Sequence, residues 1–118
     1  MKILSLSSDP ELSELRRAIL EAAGHQVHSL TSDKEALQAA QGPEPYDVVL
    51  LCHRLPTPLA RQVFRLLREN HPHTRIIYMV HVYGEWPEVE ADRYVVGADG
   101  PAALVRVLEE VQVQSPSV

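Results

Sequence analysis

A chain of 118 residues with a net charge of −5 is of single-domain size, long enough to bury one core without disulfides or metals. The acidic balance and the lack of any basic run argue against a general nucleic-acid or anionic-membrane binder, because either needs a cationic surface to displace counterions. A single cysteine rules out an internal disulfide framework, and with no signal-like start and no long apolar span the expected home is the cytoplasm.

In chain order, strand and helix patterns alternate. Lys2 to Leu6 reads as a short strand, and Ser8-Asp9-Pro10-Glu11 as a helix start, with Ser8 or Asp9 as the cap and Pro10 in the first turn. Leu12, Leu15, Ile19 and Ala22 share one face of that helix, which places them inward, and Gly24 ends it. Gln26 to Leu30 is the second strand. A helix over about Asp33 to Ala40 follows, capped by Thr31, Ser32 or Asp33 and stopped by Gly42 and Pro43. Val48 to Cys52 is an unbroken apolar run between prolines, as expected of a central strand covered on both faces. After Pro58, the positions Ala60, Val63 and Leu67 predict a third amphipathic helix ending near Asn70.

Arg75 to Val80 is a fourth strand. Gly84, Trp86 and Pro87 then break the pattern, leaving room for one short helical turn around Glu88 to Ala91. Tyr94 to Val96 is a fifth strand, and Pro101 to Val113 a last helix with Leu104, Val107, Leu108 and Val111 inward. The pattern predicts one α/β domain over 1–113, doubly wound around a five-stranded parallel sheet with helices on both faces; 114–118 is a tail or the start of a linker.

These residues resemble a family, the receiver domains of two-component response regulators. The resemblance rests on Lys2-Ile3-Leu4 with Asp9-Pro10, Gly24-His25-Gln26-Val27, Glu35-Ala36-Leu37, Asp47-Val48-Val49-Leu50-Leu51, Leu55-Pro56, and Ala91-Asp92 with Tyr94. It implies a flavodoxin-like (CheY-like) sheet of order 2-1-3-4-5, with a crevice where the first and third strands separate. It also implies transfer of a phosphoryl group to an aspartate at the end of the third strand, with Mg²⁺ held by acidic residues after the first. Between Val80 and Glu90 the chain is several residues shorter than the resemblance calls for, so the family's fourth helix is expected to be shortened or lost.

The departures fall on the chemistry. Carried over residue by residue, the acidic pair lands on Ser7 and Ser8, the phosphoacceptor on Cys52, the switch hydroxyl on Val80, the switch aromatic on Tyr94 and the lysine on Gly97. Two serines beside a thiol are a poor Mg²⁺ set, and without the lysine nothing neutralises an incoming phosphoryl group. The expectation is a degenerate, pseudo-receiver domain: no enzyme, no cofactor, no catalytic or metal residue, and no aspartyl phosphorylation. It would act as a phosphorylation-independent interaction or scaffold module in phosphorelay-type signalling. The partner would be a signalling protein or a second copy, met through Tyr83, Trp86 and Tyr94 in the region of the family's fourth helix, fifth strand and fifth helix.

Other functions are open to the same residues. Cys52, with His53 next to it and His81 at the neighbouring strand end, is a candidate redox thiol or soft-metal site, although alternation along the strand points His53 to the opposite face. Ser5-Leu6-Ser7-Ser8-Asp9 lacks the glycines of a phosphate turn, but its hydroxyls make a weak anion or small-molecule module an alternative.

Overall fold

The computed structural model describes residues 1–52, 55–80 and 91–114. The expectations for His53, His81, Tyr83, Trp86 and the shortened helix before Glu90 lie outside the described residues.

Continuous apolar runs form the middle of one parallel sheet. Its strands are β1 (Lys2–Leu6), β2 (Gln26–Leu30), β3 (Val48–Cys52), β4 (Arg75–Val80) and β5 (Arg93–Val96), in the order β2-β1-β3-β4-β5. All neighbouring strands are parallel, with β1 flanked by β2 and β3. Every residue of β3 is buried, as a strand covered on both faces requires, whereas the edge strand β2 keeps an in-out alternation.

Four α-helices stand among the described residues: α1 (Pro10–Ala22), α2 (Asp33–Gln41), α3 (Thr57–Asn70) and α4 (Pro101–Gln114). Leu4, Leu6, Val49, Leu51 and Ile76 point to the face covered by α2 and α3. Their neighbours Ile3, Val48, Leu50 and Ile77 meet Leu20 of α1 and Leu104, Leu108 and Val111 of α4 on the other. None of the helices described is long and apolar enough to cross a membrane.

Local chemistry sets the helix ends. Asp9, rather than Ser8, caps α1: its Oδ1 accepts the Leu12 N–H at 3.2 Å. At the other end Gly24, at φ 94°, donates to the Glu21 carbonyl and His25 donates to that of Leu20, closing the helix in the left-handed turn that glycine adopts without strain. Ser32 caps α2, its Oγ accepting the Glu35 N–H. Helix α3 starts at Thr57, ahead of the expected Ala60 region, with Pro56 at the cap and Pro58 in the first turn.

One expectation is overturned. The inward face of α1 is Ser13, Arg16 and Leu20; Leu12 and Ile19 are half-buried on its flank, Ala22 is exposed and Leu15 is 59% exposed. The stripe that contacts the sheet is fixed by Leu20, which must meet Ile3 and Val48, and one and two turns back along it lie Arg16 and Ser13.

Candidate functional site

Parallel strands deliver their C-terminal ends to one edge of the sheet, where α/β folds of this kind bind ligands. Leu6 pairs with Leu51, Cys52 with Met79 and Val80 with Val96. The residues that follow β1 and β5 directly are Ser7 and Gly97, so Ser7, Cys52, Val80 and Gly97 share that edge.

Their individual states leave little for phosphoryl chemistry. Ser7 is fully buried, and its Oγ accepts the Asp9 N–H at 3.1 Å, which shapes the turn into α1. Ser8 is exposed. The Asp9 carboxylate is engaged as the cap of α1. Cys52 is a buried thiol in no disulfide, 1% exposed, whose carbonyl accepts the Leu55 N–H at 3.0 Å. Val80 is a packed aliphatic side chain, and Gly97 opens a short 3-10 turn over Gly97–Asp99. The Mg²⁺ implied by the resemblance does not fit this donor set, since one hydroxyl and the nearest carboxylate are committed to backbone amides and the remaining deep group is a soft thiol. No cluster of three or more His, Cys, Asp or Glu side chains suited to a metal occurs among the described residues.

The aromatic groups near this edge are held in place. Tyr94 is half-buried, and its hydroxyl oxygen accepts the Ala91 N–H at 3.0 Å. Tyr78, its register partner on β4, is buried; burial pushes its hydroxyl above the ordinary tyrosine range, and the charge of a Cys52 thiolate would push it further. Of the interface candidates only Tyr94 is among the described residues; Tyr83, Trp86, His53 and His81 lie outside them.

Two polar features escaped the sequence reading. Arg16 is 7% exposed, and its side chain has no hydrogen bond or ion pair among the described residues; two of the three acids on its helix, Glu14 and Glu21, engage Arg17 instead. Its position in a pattern of leucines three and four apart gave no sign of burial. At the opposite end of the sheet the Tyr46 hydroxyl donates to Glu44 Oε2 at 3.2 Å and lies 2.8 Å from His28 Nδ1. With the hydroxyl hydrogen committed to the carboxylate, Nδ1–H is the donor to Tyr46. The Lys2 ammonium pairs with Glu44 and sits 5.2 Å from the centre of the Tyr46 ring. No sequence motif connects these four residues; β1, β2 and the loop before β3 bring them together.

No protein-family model matches the sequence, and no curated protein matches it. Solved structures do. The chemotaxis protein CheY4 of Vibrio cholerae is 22% identical, with 93% of this chain and 97% of that one covered and a TM-score of 0.76. The receiver domain of sensor histidine kinase PA1611 of Pseudomonas aeruginosa PAO1, described with a magnesium ion coordinated in its active-site cleft, is 22% identical over 92% of this chain and 94% of that one, with a TM-score of 0.80. A two-component response regulator from Clostridium difficile is 17% identical over 99% of both chains, with a TM-score of 0.79. At these identities the likeness establishes the fold: it is the CheY-like receiver fold over nearly the whole chain.

Proposed function

We propose that this receiver fold serves two-component signal transduction as a phosphorylation-independent interaction or scaffold module, a binding domain rather than an enzyme. One observation carries the proposal: the strand ends where the fold's phosphoryl chemistry would sit present Ser7, Ser8, Cys52 and Gly97. Aspartyl phosphorylation of the kind this fold carries out needs a carboxylate acceptor, hard oxygen ligands for the metal and a cation to stabilise charge in the transition state. Cys52 supplies none of these, and Asp9 is occupied at the helix cap. The partner in this view is a signalling protein or a second copy, engaged in the cytoplasm. A redox role for Cys52 gains no support from a thiol that is 1% exposed.

The test is intact mass and backbone NMR of the pure domain with Mg²⁺ and excess acetyl phosphate, then with beryllofluoride. Unchanged mass and unchanged amide shifts at Cys52, Val80 and Tyr94 are expected. A phosphoryl adduct, or a saturable shift at those residues, would reverse the proposal and make the domain a working switch.

A further inference from the structure

Arginine keeps its charge at any pH a protein meets, and an ionised side chain taken out of water without a partner is strongly unfavourable. Arg16 is more than nine-tenths buried as a residue and has no hydrogen-bond or ion-pair partner among the described residues, while its guanidinium nitrogens keep an opening to solvent. Beside it, between α1 and α4, lies a cavity of about 160 Å³. Arg16 lines it together with Leu12, Leu15, Met79, Gly97 and Leu104, and no carboxylate does. Its floor and walls are otherwise aliphatic. Gly100 and Pro101, also on the wall, begin the 14-residue helix α4, so the positive end of that helix dipole faces the same space. A Cβ placed on Gly100 would meet nothing within 4 Å, and Gly97 has no side chain to fill the cleft.

We propose that this cleft binds a small organic anion, an apolar body of a few carbons carrying a carboxylate or phosphate head, with Arg16 holding the head. The volume fits such a ligand, since an apolar cavity of about 150 Å³ admits a benzene molecule. The guanidinium offers a planar fork that matches either head group, and the surrounding Leu12, Leu15 and Leu104 take up the carbon chain. The site is separate from the Ser5-to-Asp9 turn, and it stands or falls independently of the function proposed above.

The test is an NMR titration of the whole chain with sodium butyrate, monobutyl phosphate, inorganic phosphate and 1-butanol at fixed ionic strength. Saturable, joint shifts of the Leu12, Leu15 and Leu104 methyls and of the Arg16 Nε–H are expected with the butyl anions, and which of the two binds tighter identifies the head group. Butanol should bind about ten- to a hundredfold more weakly, the range set by a charge-assisted hydrogen bond. Arg16→Met removes the charge at similar length; butyrate and butanol should then bind alike, while the ligand-free variant melts no lower than the parent. Arg16→Lys, which keeps the charge but loses the fork, should retain part of the preference for anions. The proposal is overturned if the butyl anions give no saturable shift, if Arg16→Met binds butyrate as tightly as the parent, or if inorganic phosphate binds as well as monobutyl phosphate.

Discussion

Ile76 and Asp92 grip each other twice: the Asp92 N–H donates to the Ile76 carbonyl at 2.8 Å, and the Ile76 N–H donates back to Asp92 Oδ2 at 2.7 Å. The same carboxylate oxygen lies 3.1 Å from the Arg68 guanidinium, so one aspartate ties the entry of β5 to β4 and α3. Asp92→Ala should lower stability by about 1.5–3 kcal/mol, because it strands a backbone N–H next to the sheet and removes a charged acceptor. Asp92→Asn keeps an acceptor for Ile76 and should lose less. Since both partners are partly exposed, Arg68→Ala should cost under about 1 kcal/mol. Urea denaturation of the three variants checks the ranking.

The Tyr46 hydroxyl is pushed up to about 12 by burial, reinforced by the neighbouring Glu44 carboxylate. A folded-state value above the unfolded one of 10.0 means that the contribution is fully present below pH 10.0 and is lost as pH rises toward about 12. Absorbance titration should show one tyrosine ionising late, with stability falling across that window. Tyr46→Phe should remove the late ionisation and cost about 1 kcal/mol at neutral pH. A late ionisation that survives in Tyr46→Phe would show that another tyrosine is responsible.

His25 is shifted the other way. Burial lowers it below 6.5, the Met1 ammonium 3.1 Å from its Nδ1 lowers it further, and Glu109 opposes them. For a depressed folded-state value the stabilising contribution is present above pH 6.5 and is lost as pH falls through the folded value. The urea midpoint should therefore drop between about pH 7 and pH 5, and His25→Gln should flatten that slope. An unchanged slope would remove His25 from the account.

Cys52 should behave as a packed core residue. Alkylation in the folded protein is expected to be slow, with a rate that follows unfolding as urea is added. Fast, pH-dependent modification under native conditions would instead show a reactive thiol.

Helix α1 gives a direct comparison of the expected and observed faces. Leu20→Ala should cost about 2–5 kcal/mol, as for a fully buried leucine, and Leu15→Ala no more than about 0.5 kcal/mol. Comparable losses at the two positions would restore the face read from the sequence.

That helix also marks where sequence reading stopped working. The central strands β3 and β4 were legible because they are uninterrupted apolar runs, and the helix ends because Asp9, Ser32 and Gly24 carry their own capping chemistry. A helical face is legible only if apolar residues mark it. In α1, Leu12, Leu15 and Ile19 line a cleft toward α4, whereas the buried stripe is Ser13, Arg16 and Leu20, so only one apolar residue marks it. At the candidate site the replaced residues could be read from the sequence by position alone. Their occupation could not: that Ser7 and Asp9 are engaged with backbone amides, and that Tyr46 gathers His28 and Glu44, follows from how the chain folds back on itself.

The strand order carries a consequence for synthesis. β1 lies between β2 and β3, the next two strands made, so once Cys52 has left the ribosome three adjacent strands and the helices between them are already available to pair. Growth from there runs in one direction only, β4 onto β3 and then β5 onto β4. The last strand to emerge is therefore an edge strand, paired among the described residues with β4 alone and tied by the Asp92 grip at its entry, and its amide hydrogens should exchange with solvent sooner than those of β3 and β4.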